Sequence, residues 1–232
     1  MAQSPSPFKL INGNSLYSSP WHWKPSHPSH DGLLRLPSKD HIVLNPVYSF
    51  GTVSWRGMKP LTENTTAYWE LHIDGELYGT SVMFGVGRIR NVIHSYDFVD
   101  FLGSDDNSYG LNHNGYAQRS GMSVRVTKPI RIENPRIGIL FDGPSQSISY
   151  YLNDEYLCTP FVNIDVSENL YPMISSTAQH TSIRLARQYS RNSVFSLLNL
   201  TKRIVKESFK ENFLEEILPR DLLTPPLTPT TN

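Results

Sequence analysis

The stretch TAYWELHIDGELYGTSVMFGVG, residues 66–87, decides the fold because it predicts two β-strands. In residues 68–73, Tyr, Glu and His alternate with Trp, Leu and Ile, which is the period of a half-buried strand. Asp74-Gly75 then supplies turn chemistry, since glycine adopts positive φ without steric cost. Residues 80–86 are β-branched and apolar, as in a strand covered on both faces. We therefore expect a hairpin here, and more sheet elsewhere, because two antiparallel strands alone are marginally stable.

Short strand-like runs separated by turn residues continue on both sides of this stretch. They lie at residues 33–36, 41–44, 48–57, 136–142, 146–152, 155–158, 171–176 and 181–186. Turn signals recur about every ten residues from 33 to 187, which is the spacing of a sandwich or barrel. Residues 88–96 predict a loop with a short strand, and Trp21 and Trp23 are expected to cover an edge of the core. The sequence therefore predicts a mainly β domain.

The two ends of the chain differ from this β region. Residues 1–20 are rich in Ser, Pro and Asn without periodicity, which predicts a disordered segment. From Ser196 the apolar residues follow the period of a helix, and residues 196–218 predict two short amphipathic helices that Pro219 ends. The predicted organisation is a disordered segment at 1–20, a β domain at 21–190 and a helical tail at 191–232.

Composition narrows the class of protein. Lysine plus arginine equals aspartate plus glutamate, so no overall charge favours nucleic acid or an acidic surface as partner. Cys158 is the only cysteine, which rules out an intramolecular disulfide and favours a reducing compartment. No apolar run is long enough for a membrane span, and the first residues do not resemble a signal peptide. We expect a soluble intracellular protein, cytoplasmic and/or nuclear, with no membrane partner.

No pattern of catalytic or cofactor-binding residues stands out. The chain has no dinucleotide fingerprint, phosphate loop or nucleophile elbow, so enzymatic chemistry and a cofactor are not expected. Cys158 lies in a strand-like context, where an inert buried thiol is a better interpretation than a nucleophile. His22, His27 and His30 fit no zinc spacing. Residues 105–107 lack the ligands of a calcium loop, which predicts a solvated turn.

The β region resembles a SPRY (B30.2-like) domain, and in detail the SPRY domain-containing SOCS box protein family. The matching phrases lie in the family's order at Tyr48–Gly57, Tyr78–Thr80, Val86–Gly87, Leu102–Leu111 and Tyr171–Ala178. The resemblance covers residues 21–187. It implies a bent antiparallel sandwich of two sheets, whose loops form a peptide pocket at one end, followed by a small helical segment similar to a SOCS box.

The resemblance also implies which residues form the peptide pocket. They are Tyr48, Ser49, Phe98, Phe101, Thr177, Ala178 and Gln179. Relatives capture short Asn-rich degrons there, and a pocket with aromatic walls and Thr and Gln side chains could pair with Asn amides. The best-studied members have Val-Trp-Gly where residues 177–179 stand, so the ligand preference is expected to differ. Phe98 and Phe101 could instead be core residues.

The tail resembles a SOCS box, which implies binding of elongin B and elongin C and of a cullin scaffold with its RING protein. The implied elongin-binding residues are Ser196, Leu197, Leu200, Thr201 and Val205, and the implied cullin-binding residues are Leu218, Pro219 and Leu222. Thr201 occupies the position where the family usually has cysteine. Pro225 and Pro226 occupy positions where the family has further apolar residues. The implied function is a non-catalytic substrate receptor of a ubiquitin ligase. The alternative is a stand-alone SPRY interaction module with a non-recruiting tail, in which Leu197 and Thr201 would be buried against the domain.

Overall fold

A computed structural model describes residues 20–27, 30–89 and 94–192, and every regular element in these ranges is a β-strand. The mainly β class predicted from the sequence is confirmed for this part of the chain. Almost all of the predicted disordered segment, and both predicted tail helices, lie outside the described residues. Within the described ranges, no helix has the length and apolar character needed to cross a bilayer.

The described residues form fourteen strands, numbered in chain order. They are β1 (Leu34–Ser38), β2 (His41–Leu44), β3 (Thr52–Arg56), β4 (Thr65–Ile73), β5 (Val82–Gly87), β6 (His94–Ser95), β7 (Ser108–Asn112), β8 (Tyr116–Arg119), β9 (Met122–Arg125), β10 (Arg136–Asp142), β11 (Ser147–Leu152), β12 (Glu155–Val162), β13 (Tyr171–Ser176) and β14 (Thr181–Asn192).

The strands build two antiparallel sheets of seven strands each. The first has the order β1-β2-β14-β4-β10-β11-β12, and the second has the order β6-β3-β13-β5-β7-β8-β9. One main hydrophobic cluster contains residues from both sheets, including Trp69 and Leu71 of β4 and Phe84 of β5. Alternate residues of each strand enter this core, because successive side chains of a strand point to opposite faces. Trp21 packs edge-to-face against Trp69, with ring centroids 6.2 Å apart, and so covers the core as predicted.

The predicted hairpin of residues 66–87 is wrong, because its two strands belong to different sheets. β4 pairs with β10 and β14, whereas β5 pairs with β13 and β7. Gly75 does adopt positive φ, but its backbone amide donates a hydrogen bond to the side-chain oxygen of Asn134, in a neighbouring loop, at 2.7 Å. Residues 74–81 then lead to the other sheet. Each strand is buried in the middle of its own sheet, where it gains two neighbours instead of one.

The outer face of β4 is also more buried than the alternation predicts. Tyr68 and Glu70 are each only 1% exposed, although they point away from the main core. Glu70 accepts a hydrogen bond from His72 at 2.7 Å, and the guanidinium of Arg187 lies 3.7 Å away. Tyr68 packs edge-to-face against Tyr151, and burial raises its pKa. Long side chains of neighbouring strands thus cover a face that we expected to be solvated.

The remaining strand predictions are mostly confirmed. The pairs β1–β2, β10–β11 and β11–β12 form where turn residues separate the apolar runs. The sequence did not predict β7, β8 and β9, because their segments are short and polar residues interrupt the apolar ones. β14 also extends to Asn192, beyond the predicted end at residue 186.

Candidate functional site

Four connecting segments meet at one end of the sandwich. Residues 46–51 precede β3, residues 77–81 precede β5, residues 94–101 include β6, and residues 177–180 join β13 to β14. The strand register brings them together, because Val53 of β3 lies opposite His94 and Ser176, and Ser176 lies opposite Val82. The sheet pairing therefore positions these loops beside one another, although they are far apart in the sequence.

Hydrogen bonds fix the loop after β13 to two of the other segments. The Ser49 hydroxyl donates to the Thr177 carbonyl at 2.5 Å. The Gln179 side-chain amide donates to the Val47 carbonyl, and the Tyr78 hydroxyl donates to the Gln179 carbonyl. These contacts tie residues from three separate segments into one surface.

The segment around β6 also makes close contacts, in this case with the residues at the start of β3. A Cβ atom on Gly51, where φ is +124°, would lie 2.1 Å from the Ser95 carbonyl oxygen, so only glycine allows this approach. The Thr52 hydroxyl donates to the Asp97 carbonyl at 2.7 Å and accepts from the Val99 amide at 3.1 Å. Residues 95–99 are therefore held against the start of β3.

Five large aromatic side chains lie exposed on these loops. They are Tyr48, Phe50, Tyr78, Tyr96 and Phe98, with exposed fractions between 49% and 82%. The Tyr48 and Phe50 rings are adjacent, with centroids 6.1 Å apart. We call these five side chains the aromatic face. Exposed groups of large apolar side chains on a protein surface are candidates for an interaction site.

The structure places the seven predicted pocket residues at this end of the sandwich, but in different surroundings. Tyr48 and Phe98 belong to the aromatic face, and Gln179 is exposed beside it. Ser49 is partly buried by its bond to Thr177. Phe101 packs against the buried cluster of Met83, Leu102 and Met173, so its ring is mostly a core group. As contacts of a peptide, these residues remain predictions.

Thr177 and Ala178 are each only 3% exposed, so their side chains cannot form much of a pocket wall. The Thr177 hydroxyl accepts from the Ser81 amide at 2.8 Å and donates to the Ser81 carbonyl at 3.0 Å. The Asn45 side-chain amide donates to the Ala178 carbonyl at 3.0 Å. Both residues therefore position the loops that carry the exposed groups.

Phe50, Tyr78 and Tyr96 belong to the aromatic face but are not among the pocket residues predicted from the sequence. Phe50 follows Tyr48 by two residues, so both side chains would share a side of an extended segment. Tyr96 is an aromatic residue between polar Ser95 and Asp97, which is a signal of exposure. The only sequence signal at Tyr78 is that it belongs to the segment Tyr78–Thr80, which resembles the family.

A groove of about 590 Å³ borders the aromatic face through Pro46, Val47 and His180. Such a volume is typical of ligand sites. Its far part is lined by charged residues of β1 and β14, among them Arg35 and Arg184.

A chain of polar groups crosses that groove. The Ser182 hydroxyl donates to Asp74 at 2.6 Å, so it accepts from the Nε2–H of His41 at 2.8 Å, which fixes the neutral tautomer of the histidine. Burial, with the nearby Arg184 guanidinium, lowers the pKa of His41. The hydrogen bond from Ser182 is the largest of the effects that lower the pKa of Asp74. Because Ser182 lies between histidine and carboxylate, this is not the arrangement of a nucleophilic triad.

A second pocket, of about 460 Å³, borders the other side of the loops through Thr80 and Asp100. The Asp100 carboxylate accepts from the Ser81 hydroxyl at 2.6 Å and from the Asn112 amide at 2.9 Å. Arg131 donates to Asn114 across the same pocket at 2.7 Å. The polar groups of this pocket are therefore largely occupied by one another.

The histidines and the cysteine have surroundings that favour neither metal binding nor a reactive thiol. Within residues 20–27, 30–89 and 94–192, no group of three His, Cys, Asp or Glu side chains could hold a metal ion. His22 instead pairs with Asp40 at 2.6 Å, and His30 packs against the Trp55 ring. Burial raises the pKa of the Cys158 thiol to about 11, which disfavours the reactive thiolate.

Comparison with known sequences identifies the domain. The SPRY domain model matches residues 66–188, more than half of the chain. SPRY domain-containing SOCS box protein 3 of Xenopus tropicalis is 27% identical over 169 residues, which cover 72% of this chain and 46% of that protein. F-box/SPRY domain-containing protein 1 of Drosophila ananassae is 28% identical over 170 residues, which cover 70% of this chain and 64% of that protein. The predicted resemblance is confirmed, and the chain spans about half to two thirds of the length of these relatives.

Solved structures show the same architecture at low sequence identity. The TRIM65 PSpry domain superposes with a TM-score of 0.58 at 16% identity, covering 81% of this chain and 97% of that domain. The SPRY domain of human HERC1 gives a TM-score of 0.53 at 14% identity, covering 66% of this chain and 91% of that domain. These likenesses confirm the predicted SPRY-like fold.

Proposed function

The chain belongs to the SPRY domain family, and from this premise we propose that it is the substrate-recognition subunit of an elongin–cullin–RING ubiquitin ligase. In this proposal the SPRY loops bind a short peptide degron, expected to contain Asn, and the tail docks elongin B and elongin C. The protein itself is non-catalytic and acts in the cytoplasm and/or nucleus.

The observation that carries the proposal is the aromatic face. Its exposed rings stand on loops whose backbones are fixed by Ser49, Thr52 and Gln179. A fixed surface loses little entropy on binding, so modest contacts suffice to hold a short peptide. The exposed Gln179 beside the rings, together with backbone groups of the loops, could pair with Asn amides.

The mechanism would be proximity. A receptor that holds a target beside the ubiquitin-loaded enzyme raises the effective concentration of target lysines there without any chemistry of its own. Relatives whose names join a SPRY domain to a SOCS box or an F-box support such a role. So does the resemblance of the tail to a SOCS box.

The test of this function is co-purification of the full chain with an elongin B–elongin C complex. We expect a stable complex that Leu197→Asp abolishes, because a charge would be forced into an apolar pocket. Leu197→Met, which keeps the side chain apolar, should retain binding. If the folded wild-type chain binds no elongin, the ligase proposal fails and the stand-alone SPRY module remains. Docking of the cullin at Leu218, Pro219 and Leu222 is tested by adding the cullin to the elongin complex.

A further inference from the structure

Among the described residues, the loops that carry the aromatic face have an excess of negative charge. The four segments that form it contain two carboxylates, Asp97 and Asp100, and no lysine or arginine. Two cations of the flanking pockets already have partners. Arg131 donates to Asn114, and Arg184 pairs with Asp74 at 3.2 Å.

The two carboxylates differ in what they can offer to a ligand. Asp100 is partly buried and already accepts from Ser81 and Asn112. Asp97 is exposed, and its carboxylate has no hydrogen-bond or ion-pair partner among the residues that the structure describes. Its backbone is nevertheless fixed, since its amide donates to Ser95 at 3.2 Å and its carbonyl accepts from Thr52. Asp97 therefore presents an exposed carboxylate on a backbone that hydrogen bonds hold in place.

Two exposed aromatic residues adjoin this carboxylate in the chain. Tyr96 and Phe98 are its chain neighbours, with exposed fractions of 82% and 49%. The His94 ring packs edge-to-face on Tyr96 at 4.7 Å and bonds the Phe50 carbonyl, which restricts the Tyr96 side chain. Aromatic faces attract cations through the ring quadrupole, and a carboxylate beside them adds direct attraction.

We propose that the aromatic face selects target peptides that carry a lysine or arginine, whose charged group binds between Asp97 and the rings of Tyr96 and Phe98. This inference rests on the proposed peptide-binding function and adds a partner chemistry to it. The apolar stem of the same side chain would cover the rings while its head meets the carboxylate. The remaining rings, Tyr48 and Phe50, would hold the neighbouring residues of the peptide.

The experiment is selection of a random linear peptide library on the 232-residue chain, followed by affinity measurements. We expect lysine or arginine to be enriched at one position. Replacing it by glutamine should weaken binding about 3–10-fold, as for a partly exposed ion pair with a cation–π contact. Asp97→Asn should weaken the basic peptide and remove its advantage over the glutamine peptide. The advantage should also shrink as salt rises from low to high ionic strength.

The controls separate this inference from the function on which it rests. Asp106→Asn removes an exposed carboxylate at the other end of β7 and should leave the preference unchanged. Tyr48→Ala should lose binding of every selected peptide. Selected peptides that bind without a basic residue, or that lose nothing in Asp97→Asn, would overturn the cationic preference alone. If no peptide is enriched, or if Tyr48→Ala binds as well as wild type, the peptide site itself is refuted.

Discussion

Cys158 illustrates how surroundings set the reactivity of a single residue. Burial in β12 raises the pKa of its thiol to about 11, so at pH 8 only about one molecule in a thousand carries the thiolate. We expect alkylation by iodoacetamide at pH 8 to be about 100-fold slower than at an exposed cysteine, and to rise with pH up to about 11. Ser145→Cys in a Cys158→Ser background provides the exposed comparison, since Ser145 lies in the turn between β10 and β11. Equal rates for the two thiols would contradict the buried assignment.

Residue type alone does not reveal which aromatic side chains serve the site. Tyr48 and Phe98 were predicted from the resemblance, but Phe50 and Tyr96 were not, although all four are exposed. In the sequence an exposed ring looks the same as a buried one. Exposure depends on which loops lie next to each other, and here contacts between residues 44 and 45 positions apart help to decide it.

At the scale of elements, a substitution in the loop after β13 tests whether Thr177 stabilises the loops or contacts the peptide. Thr177→Val keeps the shape of the side chain but leaves the buried Ser81 amide without its 2.8 Å acceptor. We expect the free energy of unfolding in denaturant to fall by about 1–3 kcal/mol. Thr80→Val, at the exposed position next to Ser81, should change it little. If Thr177 instead lined the pocket, the variant would lose peptide affinity at unchanged stability.

The positions of strands were more predictable than their partners. Alternation correctly predicted strands at β4 and β5, because side-chain burial is periodic within one strand. It did not predict that the two strands enter different sheets, since that choice depends on β10, β13 and β14, which are more than 60 residues away in the sequence. The burial of Glu70 has in part the same origin, because Arg187 of β14 lies 3.7 Å from its carboxylate. A local sequence pattern does not predict contacts with residues that are distant in the sequence.

At the scale of the whole molecule, β14 holds the first sheet together. It lies between β2 and β4, pairing Ile183 with both Ile42 and Ile73. A chain that ends at His180 should therefore lack cooperative unfolding, as measured by circular dichroism and tryptophan fluorescence. A chain that ends at Asn192 keeps every described strand and should unfold cooperatively. Cooperative unfolding of the shorter chain would show that β1 and β2 do not depend on β14.

The central place of β14 also determines when the domain can fold during its synthesis. At about 5–20 residues per second, roughly 7–30 seconds pass between translation of Ile42 and of its partner Ile183. Until β14 has been made, β2 and then β4 lack the strand that will lie between them, and their apolar faces and unpaired edges are open to other chains. Nascent chains of this protein should therefore depend on chaperones until the last strand leaves the ribosome. At high expression levels, we expect these unfinished chains to aggregate even though the completed domain is stable.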